Sequence, residues 1–262
     1  MSKDKRFYSW DQDTKAVAFI DILGFSGLTS MDSVDEPSRA SSLFTFFENC
    51  ILPYRKSMLQ QFPREVPTTA TGADFKASFW HQEVPIGAVN FVYLSDSAVL
   101  YSHSLTHLFR ELSAIYGSAI TFSVPIRGAI TTGGLHHSEW IERPGSGICL
   151  YGDALTNAVS LEKSVSGAGM RLWLESSVVE LARAHGLNHW IVPPEAEKPA
   201  ELRWWLGAYN PGSWGTESQE LERQFGRWFT EKQIRHWFKG DNCENTKAVV
   251  ARALSELKSL NR

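Results

Sequence analysis

The segment from Lys15 to Ile22 constrains the fold more than any other part of the sequence. It reads KAVAFIDI, a run of β-compatible apolar residues that predicts a buried strand. Asp21 interrupts the run near its end, and Gly24 follows closely, so a tight turn is expected there. A carboxylate in this position is costly unless it is paired or binds a cation, although an Asp before a turn also serves as a simple cap.

Further strands and helices are predicted around this segment. In order, we expect a helix over 35–61, a loop over 62–86, hairpin strands over 90–94 and 98–102, a helix over 104–119, a strand over 124–132, a loop over 136–147, a helix over 153–165, a strand over 171–175, a helix over 176–184 and a final helix over 246–259. The helix over 153–165 has Leu155, Val159 and Leu161 on its apolar side. The order β-α-β-β-α-β predicts an α+β fold with a ferredoxin-like antiparallel sheet and helices on one face.

Tryptophan is concentrated towards the end of the chain. The sequence has 10 tryptophans, and most of them occur from Trp173 onwards. Because tryptophan is large and is rarely left in solvent, this part is expected to pack against something. We predict one compact domain over 1–190 and a Trp-rich C-terminal extension over 191–262, packed on the same domain or at a dimer interface.

Composition excludes several classes of protein. A hydrophobic content of 43% and a charged content of 21% are ordinary for a globular protein. The net charge of -3 does not indicate the excess of basic residues that is typical of nucleic-acid-binding proteins. No apolar run approaches the roughly 18–20 residues of a membrane span, and the start has no signal-peptide pattern. The three cysteines, Cys50, Cys149 and Cys243, form neither a disulfide framework nor a CxxC pair, which favours the cytoplasm.

A second carboxylate, Asp96, lies at the tip of the predicted hairpin. Hairpin tips favour Asp for turn geometry alone, so this residue by itself is weak evidence for a site. If the strand that ends at Asp21 is a neighbour of the hairpin, however, both carboxylates lie at the same end of the sheet. Two carboxylates together with phosphate oxygens are a common way of holding Mg²⁺ or Mn²⁺ for phosphoryl chemistry.

Four segments together resemble class III nucleotidyl cyclases. FIDILGFS, LSDSAVL, IRGAITTGG and CLYGDALTNAVSLEKS occur in the order and approximate spacing of that family, over about residues 15–165. The chain is most similar to the bacterial pyrimidine cyclases of the Pycsar antiphage systems. The resemblance implies conversion of UTP to cyclic UMP. It leaves open a cytidylate cyclase that makes cyclic CMP, and a catalytically silent nucleotide sensor.

The resemblance implies roles for individual residues. Asp21 and Asp96 match the aspartates that bind two divalent cations, Mn²⁺ or Mg²⁺, and the backbone carbonyl of Ile22 completes a metal shell. Arg127 matches the arginine that contacts the triphosphate, which suits a guanidinium because it can grip phosphate oxygens through two hydrogen bonds. An arginine paired with a nearby carboxylate is an equally good interpretation of the sequence. Around Gly24 and Phe25, backbone amides are expected to approach the nucleotide.

The match loosens in the residues that would read the base. Cys149 falls at the base-reading position of purine cyclases, and Val92 and Tyr93 stand where adenylate cyclases carry a lysine. We therefore expect a pyrimidine, with Tyr93 contacting it and Phe19 lining the same pocket, since Phe19 shares a strand face with Asp21. Core packing is the alternative for both aromatic side chains.

The match also loosens along the helix over 153–165. Thr156 occupies the position of the family's ribose-binding Asn, with Asn157 beside it. Ser160 occupies the position of the arginine that stabilises the transition state. A different cation is needed there, and Lys163 and Lys239 are the two options.

The resemblance further implies a homodimer with active sites at the interface. One subunit would contribute both aspartates and Arg127, and the other would contribute residues 149–163. The cyclic nucleotide would act on a separate effector protein, with neither a nucleic acid nor a membrane as partner. Diguanylate cyclases and polymerase palms share the core and its chemistry, but no GGDEF-like segment occurs in this chain.

Overall fold

The computed structural model describes residues 14–23, 89–94, 96–121, 124–139, 148–165, 169–195, 198–208, 219, 222–223 and 241–260. The predicted helix over 35–61, the predicted loop over 62–86, and the residues Gly24, Phe25 and Lys239 lie outside these ranges. Across the described ranges, no helix combines the length and apolar character that crossing a bilayer requires.

The described residues form nine strands, five α-helices and one short 3₁₀ turn. The strands are β1 (Thr14–Ile22), β2 (Asn90–Leu94), β3 (Ser97–Ser102), β4 (Ile126–Gly134), β5 (His136–Glu139), β6 (Ile148–Tyr151), β7 (Leu172–Leu174), β8 (Ile191–Val192) and β9 (Ala200–Leu202). The helices are α1 (Leu105–Thr121), α2 (Asp153–Ser164), α3 (Ser176–Ala184), α4 (Trp205–Ala208) and α5 (Asp241–Leu260), with the 3₁₀ turn at Asn188–Trp190.

Seven strands form the main sheet, in the order β2-β3-β1-β4-β7-β9-β8. The first four strands pair antiparallel, with β1 between β3 and β4, which is the ferredoxin-like arrangement. The predicted α+β fold is therefore confirmed. β7 then pairs parallel to β4, and β9 and β8 extend the sheet antiparallel.

Strand β1 is buried on both of its faces. Ala16, Ala18 and Ile20 face the larger core, which also contains side chains of α1, α3 and α5. Val17 on the other face packs with Ala154 at the start of α2. The sequence prediction placed the helices on one face, and the structure adds α2 on the opposite face, where Val17 and Phe19 of β1 are apolar as well.

Described residues after position 190 contribute to the same sheet and the same core. β8 and β9 are its last two strands, although runs of two and three residues are too short to show periodicity in the sequence. Trp204 and Trp205 are fully buried. The Trp204 ring lies 5.6 Å from that of Tyr116 in α1 and 5.5 Å from that of Trp205. Trp205 also donates a hydrogen bond from Nε1 to Glu256 of α5, at 2.8 Å.

The predicted loop over 136–147 begins instead with a strand. β5 pairs antiparallel with β6 in a separate two-stranded sheet, and residues 140–147 between them lie outside the described part of the chain. His136 stacks on its cross-strand partner Tyr151, with the ring centroids 4.9 Å apart. The segment HHSE has no apolar alternation, so its extended conformation depends on pairing with β6 and was not predictable from its own pattern.

Gly152 fixes the approach of α2 to β4, and we predict that Gly152→Ala is strongly destabilising. Its φ is +151°, and a Cβ built there would lie 2.2 Å from the carbonyl oxygen of Gly134. Backbone strain alone costs on the order of 1–3 kcal/mol, and the overlap with a backbone atom adds to it. The free energy of unfolding, measured by chemical denaturation, should fall by more than about 3 kcal/mol.

Gly186→Ala is the matched control for this prediction. Gly186 also has a positive φ, +71°, but no atom lies within 4 Å of its hypothetical Cβ. This variant should lose only about 1 kcal/mol through backbone strain. Equal losses in the two variants would contradict the close approach at Gly152.

Candidate active site

Two carboxylates meet at one end of the main sheet. Asp21 is the penultimate residue of β1, and Asp96 lies in the turn between β2 and β3. The backbone N–H of Ile22 donates a hydrogen bond to the carbonyl oxygen of Asp96 at 2.9 Å, which ties this turn to the end of β1. β1 pairs with β3, and this pairing holds the hairpin of β2 and β3 beside β1. Asp21 lies opposite Ser97 in that pair.

Arg127 lies beside Asp21 on the other side of β1. The two residues are direct cross-strand partners in the β1–β4 pair. A terminal nitrogen of Arg127, Nη2, lies 3.4 Å from Asp21 Oδ2, which makes this a long hydrogen bond. Arg127 Nε lies 2.5 Å from Oε1 of Glu162. Arg127 is therefore ion-paired with two carboxylates, which is one of the two interpretations that the sequence allowed.

Glu162 is a member of this cluster that the sequence analysis missed. It lies near the end of α2, and its side chain is only 2% exposed. The residues of α2 that are buried against the sheet are Ala154, Ala158 and Glu162, spaced by four. A carboxylate that continues a buried stripe of small residues is the signal that could have identified it.

Burial governs the electrostatics of the cluster. It raises the pKa of Asp21, the ion pair with Arg127 offsets part of this effect, and the charge of Asp96 raises the pKa further. Burial likewise raises the pKa of Glu162, against the opposing charge of Arg127. The positive charge of Lys163 lowers both pKa values slightly, so this exposed lysine acts on the same cluster. The carboxylates are thus incompletely neutralised by the side chains around them.

This donor set fits divalent cations that share their ligands with a substrate. The described residues contain no group of three or more His, Cys, Asp or Glu side chains able to hold a metal ion by themselves. Asp21 and Asp96 supply two hard oxygen ligands with excess negative charge, and Mg²⁺ in particular is commonly bound through one or two carboxylates plus substrate phosphates. The backbone of Ile22, which follows Asp21 directly, contacts the backbone of Asp96 through its hydrogen bond.

Several other predicted site residues are not brought to this cluster within one chain. Thr156, Asn157 and Ser160 are exposed on α2, away from its buried stripe. The Thr156 hydroxyl donates to the carbonyl oxygen of Gly152 at 3.0 Å. Cys149 lies on β6, with its backbone opposite Ser138.

Phe19 and Tyr93, the two aromatic residues predicted to line the base pocket, lie on different strands, β1 and β2. Phe19 is half-buried on the same face of β1 as Asp21 and packs against the cluster that contains Val17. The backbone of Tyr93 lies on β2, the edge strand of the sheet, opposite Ala98.

We predict that Asp21→Asn makes the metal-free protein more stable near neutral pH. A carboxyl group whose folded pKa is raised contributes stability below its unfolded pKa, and that contribution is lost as the pH rises through the folded pKa. The neutral amide avoids this loss, and Arg127 keeps Glu162 as a partner. In EDTA, the melting temperature of the variant should therefore exceed that of the unmodified protein, each kcal/mol appearing as roughly 2–4 °C. The difference should vanish on acidification below the ordinary carboxyl pKa of 3.8.

Addition of Mn²⁺ should reverse the order of the two melting temperatures, so that the unmodified protein melts at the higher temperature. A cation that binds only the folded state stabilises it, so the unmodified protein should gain melting temperature with Mn²⁺ concentration while Asp21→Asn gains little. Equal gains in both proteins would contradict the assignment of Asp21 as a cation ligand.

Comparison with known proteins finds structural similarity only. No protein-family model matches the chain, and no curated protein matches its sequence. The adenylyl cyclase CyaB from P. aeruginosa is 13% identical, with a TM-score of 0.42 over 72% of this chain and 91% of that one. The guanylyl cyclase Cya2 is 9% identical, with a TM-score of 0.40 over 73% and 90%. At these TM-scores the backbones superpose only loosely, so the similarity identifies neither a ligand nor an activity for this chain.

Proposed function

We propose that this chain is a nucleotidyl cyclase that converts UTP into 3′,5′-cyclic UMP and pyrophosphate. The observation that supports it most directly is the meeting of Asp21, Asp96 and Arg127 at one end of the sheet. Two carboxylates for divalent cations and a guanidinium for phosphate oxygens are the parts that such a reaction needs. The order of the motifs along the sequence supports the same assignment.

The reaction is an in-line displacement at the α-phosphorus. A bond forms from the ribose 3′-oxygen to the α-phosphorus, the bond from that phosphorus to the α,β-bridging oxygen breaks, and pyrophosphate leaves. The hydroxyl proton passes to solvent or to a phosphate oxygen, so no protein base is required. Asp21 and Asp96 would hold two divalent cations, Mn²⁺ or Mg²⁺, which would acidify the 3′-hydroxyl and neutralise phosphate charge. Arg127 would contact the triphosphate through its terminal nitrogens.

The base is assigned as a pyrimidine from the residues around the same sheet end. Phe19 is half-buried on the face of β1 that carries Asp21, where an aromatic ring can line a pocket for a small base. Tyr93 and Cys149 replace the residues that read a purine in the cyclases that the sequence resembles. UTP is proposed over CTP, with cyclic CMP as the alternative product. The cyclic nucleotide would serve as a second messenger in antiphage defence, acting on a separate effector.

A homodimer would complete the site. Thr156 and Asn157 are exposed on α2 and lie away from the sheet of their own chain, so they are free to face a second copy. A two-fold arrangement would give two equivalent sites, each with Asp21, Asp96 and Arg127 from one subunit and the α2 residues from the other.

A catalytically silent nucleotide sensor is the second candidate function. Two observations favour it: Arg127 is already ion-paired with Asp21 and Glu162, and Ser160 stands where a cyclase arginine is expected. The presence of both Asp21 and Asp96 at one sheet end favours the enzyme, because a sensor has little use for two cation ligands.

Incubation with single nucleotides separates these candidates. The purified full chain is incubated with ATP, GTP, CTP or UTP and Mn²⁺, and the products are resolved by mass spectrometry beside those of Asp96→Asn. We expect a cyclic pyrimidine monophosphate that the variant does not make. A cyclic purine would overturn the base assignment alone, and binding of a triphosphate without any product would favour the sensor.

A further inference from the structure

A buried carboxylate outside the predicted site contacts the guanidinium of Arg127 from the helix side. The side chain of Glu162, near the C-terminal end of α2, is 2% exposed, while that of Arg127 on β4 is 24% exposed. Burial of an unpaired carboxylate is strongly unfavourable, so a charge in this position is tolerated only with a close partner. Arg127 is that partner, with Nε at 2.5 Å from Oε1.

The two carboxylates hold Arg127 unequally. The contact to Asp21, at 3.4 Å, is longer than the usual 2.7–3.2 Å for an N–H···O hydrogen bond, and the Asp21 side chain is 22% exposed. The contact to Glu162 is shorter, although Arg127 Nε and Glu162 Oε1 form an ion pair without hydrogen-bond alignment, and the Glu162 side chain is almost sealed from water. Glu162 engages Nε and Asp21 contacts Nη2, and because a guanidinium has five N–H donors, further donors on the terminal nitrogens remain for other acceptors.

We propose that Glu162 is a positioning residue that holds Arg127 at the end of the sheet when Asp21 is engaged by a divalent cation. The inference rests on the proposed function. Once Asp21 shares its charge with a cation, repulsion between that cation and the guanidinium would drive Arg127 towards solvent. Glu162 counters this repulsion from the other side of the guanidinium and leaves the terminal nitrogens of Arg127 for phosphate oxygens.

A double-mutant cycle tests this coupling without relying on turnover. The probe is inorganic tripolyphosphate in the presence of Mn²⁺, and its Kd is measured by isothermal titration calorimetry on the full chain. Arg127→Ala and Glu162→Gln should each weaken binding by about tenfold or more. The double variant should bind no more weakly than Arg127→Ala, because Glu162 acts only through Arg127.

Controls separate positioning from folding and from metal binding. Glu180→Gln, an exposed change on α3, should leave the Kd unchanged. The Kd for Mn²⁺ alone should change by less than about threefold in Glu162→Gln, since Glu162 is assigned to the arginine and not to the cation. If Glu162→Gln does not fold, Glu162→Asp takes its place. Its shorter side chain withdraws the carboxylate from Arg127, so the Kd for tripolyphosphate should still rise about threefold, and again only when Arg127 is present.

Three outcomes would overturn the inference. They are an unchanged tripolyphosphate Kd in a folded Glu162→Gln protein, fully additive losses in the double variant, and a large loss of Mn²⁺ affinity. Failure of the unmodified protein to bind tripolyphosphate would instead contradict the proposed function, on which the inference depends.

Discussion

Asp21→Asn and Asp96→Asn are each expected to lower kcat by roughly 10³-fold or more while the protein stays folded. Both carboxylates lie at the same end of the sheet, and each is expected to be needed as an anionic ligand, so that one does not compensate for the loss of the other. An amide keeps the size of the side chain but removes the charge that the proposed cation site requires. Steady-state release of pyrophosphate with saturating Mn²⁺ and nucleotide measures the loss.

A third aspartate provides the control for this experiment. Asp241 is exposed in the first turn of α5, and Asp241→Asn should leave kcat within about twofold, as expected for a surface substitution. Circular dichroism should show all three variants folded. A folded Asp21→Asn enzyme with full activity would remove the assignment of the cation site.

Trp204→Ala is expected to cost about 3–5 kcal/mol of folding free energy. Trp204 is fully buried and contacts both Tyr116 in α1 and Trp205, so its loss leaves a large cavity in the main core. The melting temperature should fall by roughly 6–20 °C, and far-ultraviolet and near-ultraviolet circular dichroism should melt together.

Tyr151→Ala provides the contrast for the tryptophan substitution. Tyr151 is 42% exposed on β6, and its removal should cost no more than about 1 kcal/mol. If Trp204→Ala were as mild as Tyr151→Ala, the residues after 190 would not belong to the core that the structure shows.

The central sheet was predictable because its strands carry their own signals. The predicted runs 15–22, 90–94 and 98–102 differ from β1, β2 and β3 by at most one residue at either end. Each run is apolar, and a polar turn or loop follows it, so neither its conformation nor its ends depend on distant contacts. The meeting of Asp21 and Asp96 follows from that strand order.

The far edge of the sheet was not predictable for the opposite reason. β7 lies within the predicted strand over 171–175, whereas β8 and β9 contain two and three residues and exist because they pair with a neighbour. Runs of that length have no measurable period, so tertiary pairing decides their conformation. A boundary at residue 190 in the sequence therefore falls within what is one continuous sheet.

Glu162 shows how the pattern of a helix can hide a site residue. The apolar side assigned from sequence contained Leu155, Val159 and Leu161, which are only partly buried. The fully packed stripe instead carries two alanines and Glu162, and small or charged residues contribute little to a hydrophobic pattern. Only the juxtaposition with Arg127 on β4, a contact between distant parts of the chain, identifies this residue.

We propose that the cluster of Asp21, Asp96 and Arg127 carries out cyclisation. The most direct test quantifies every product formed from UTP, or from CTP if UTP is not used, by the full chain with Mn²⁺. We predict cyclic monophosphate and pyrophosphate in equal amounts, with no linear monophosphate and no diphosphate. Linear monophosphate with pyrophosphate, or diphosphate with inorganic phosphate, would show that water and not the ribose hydroxyl is the nucleophile, and would contradict the claim.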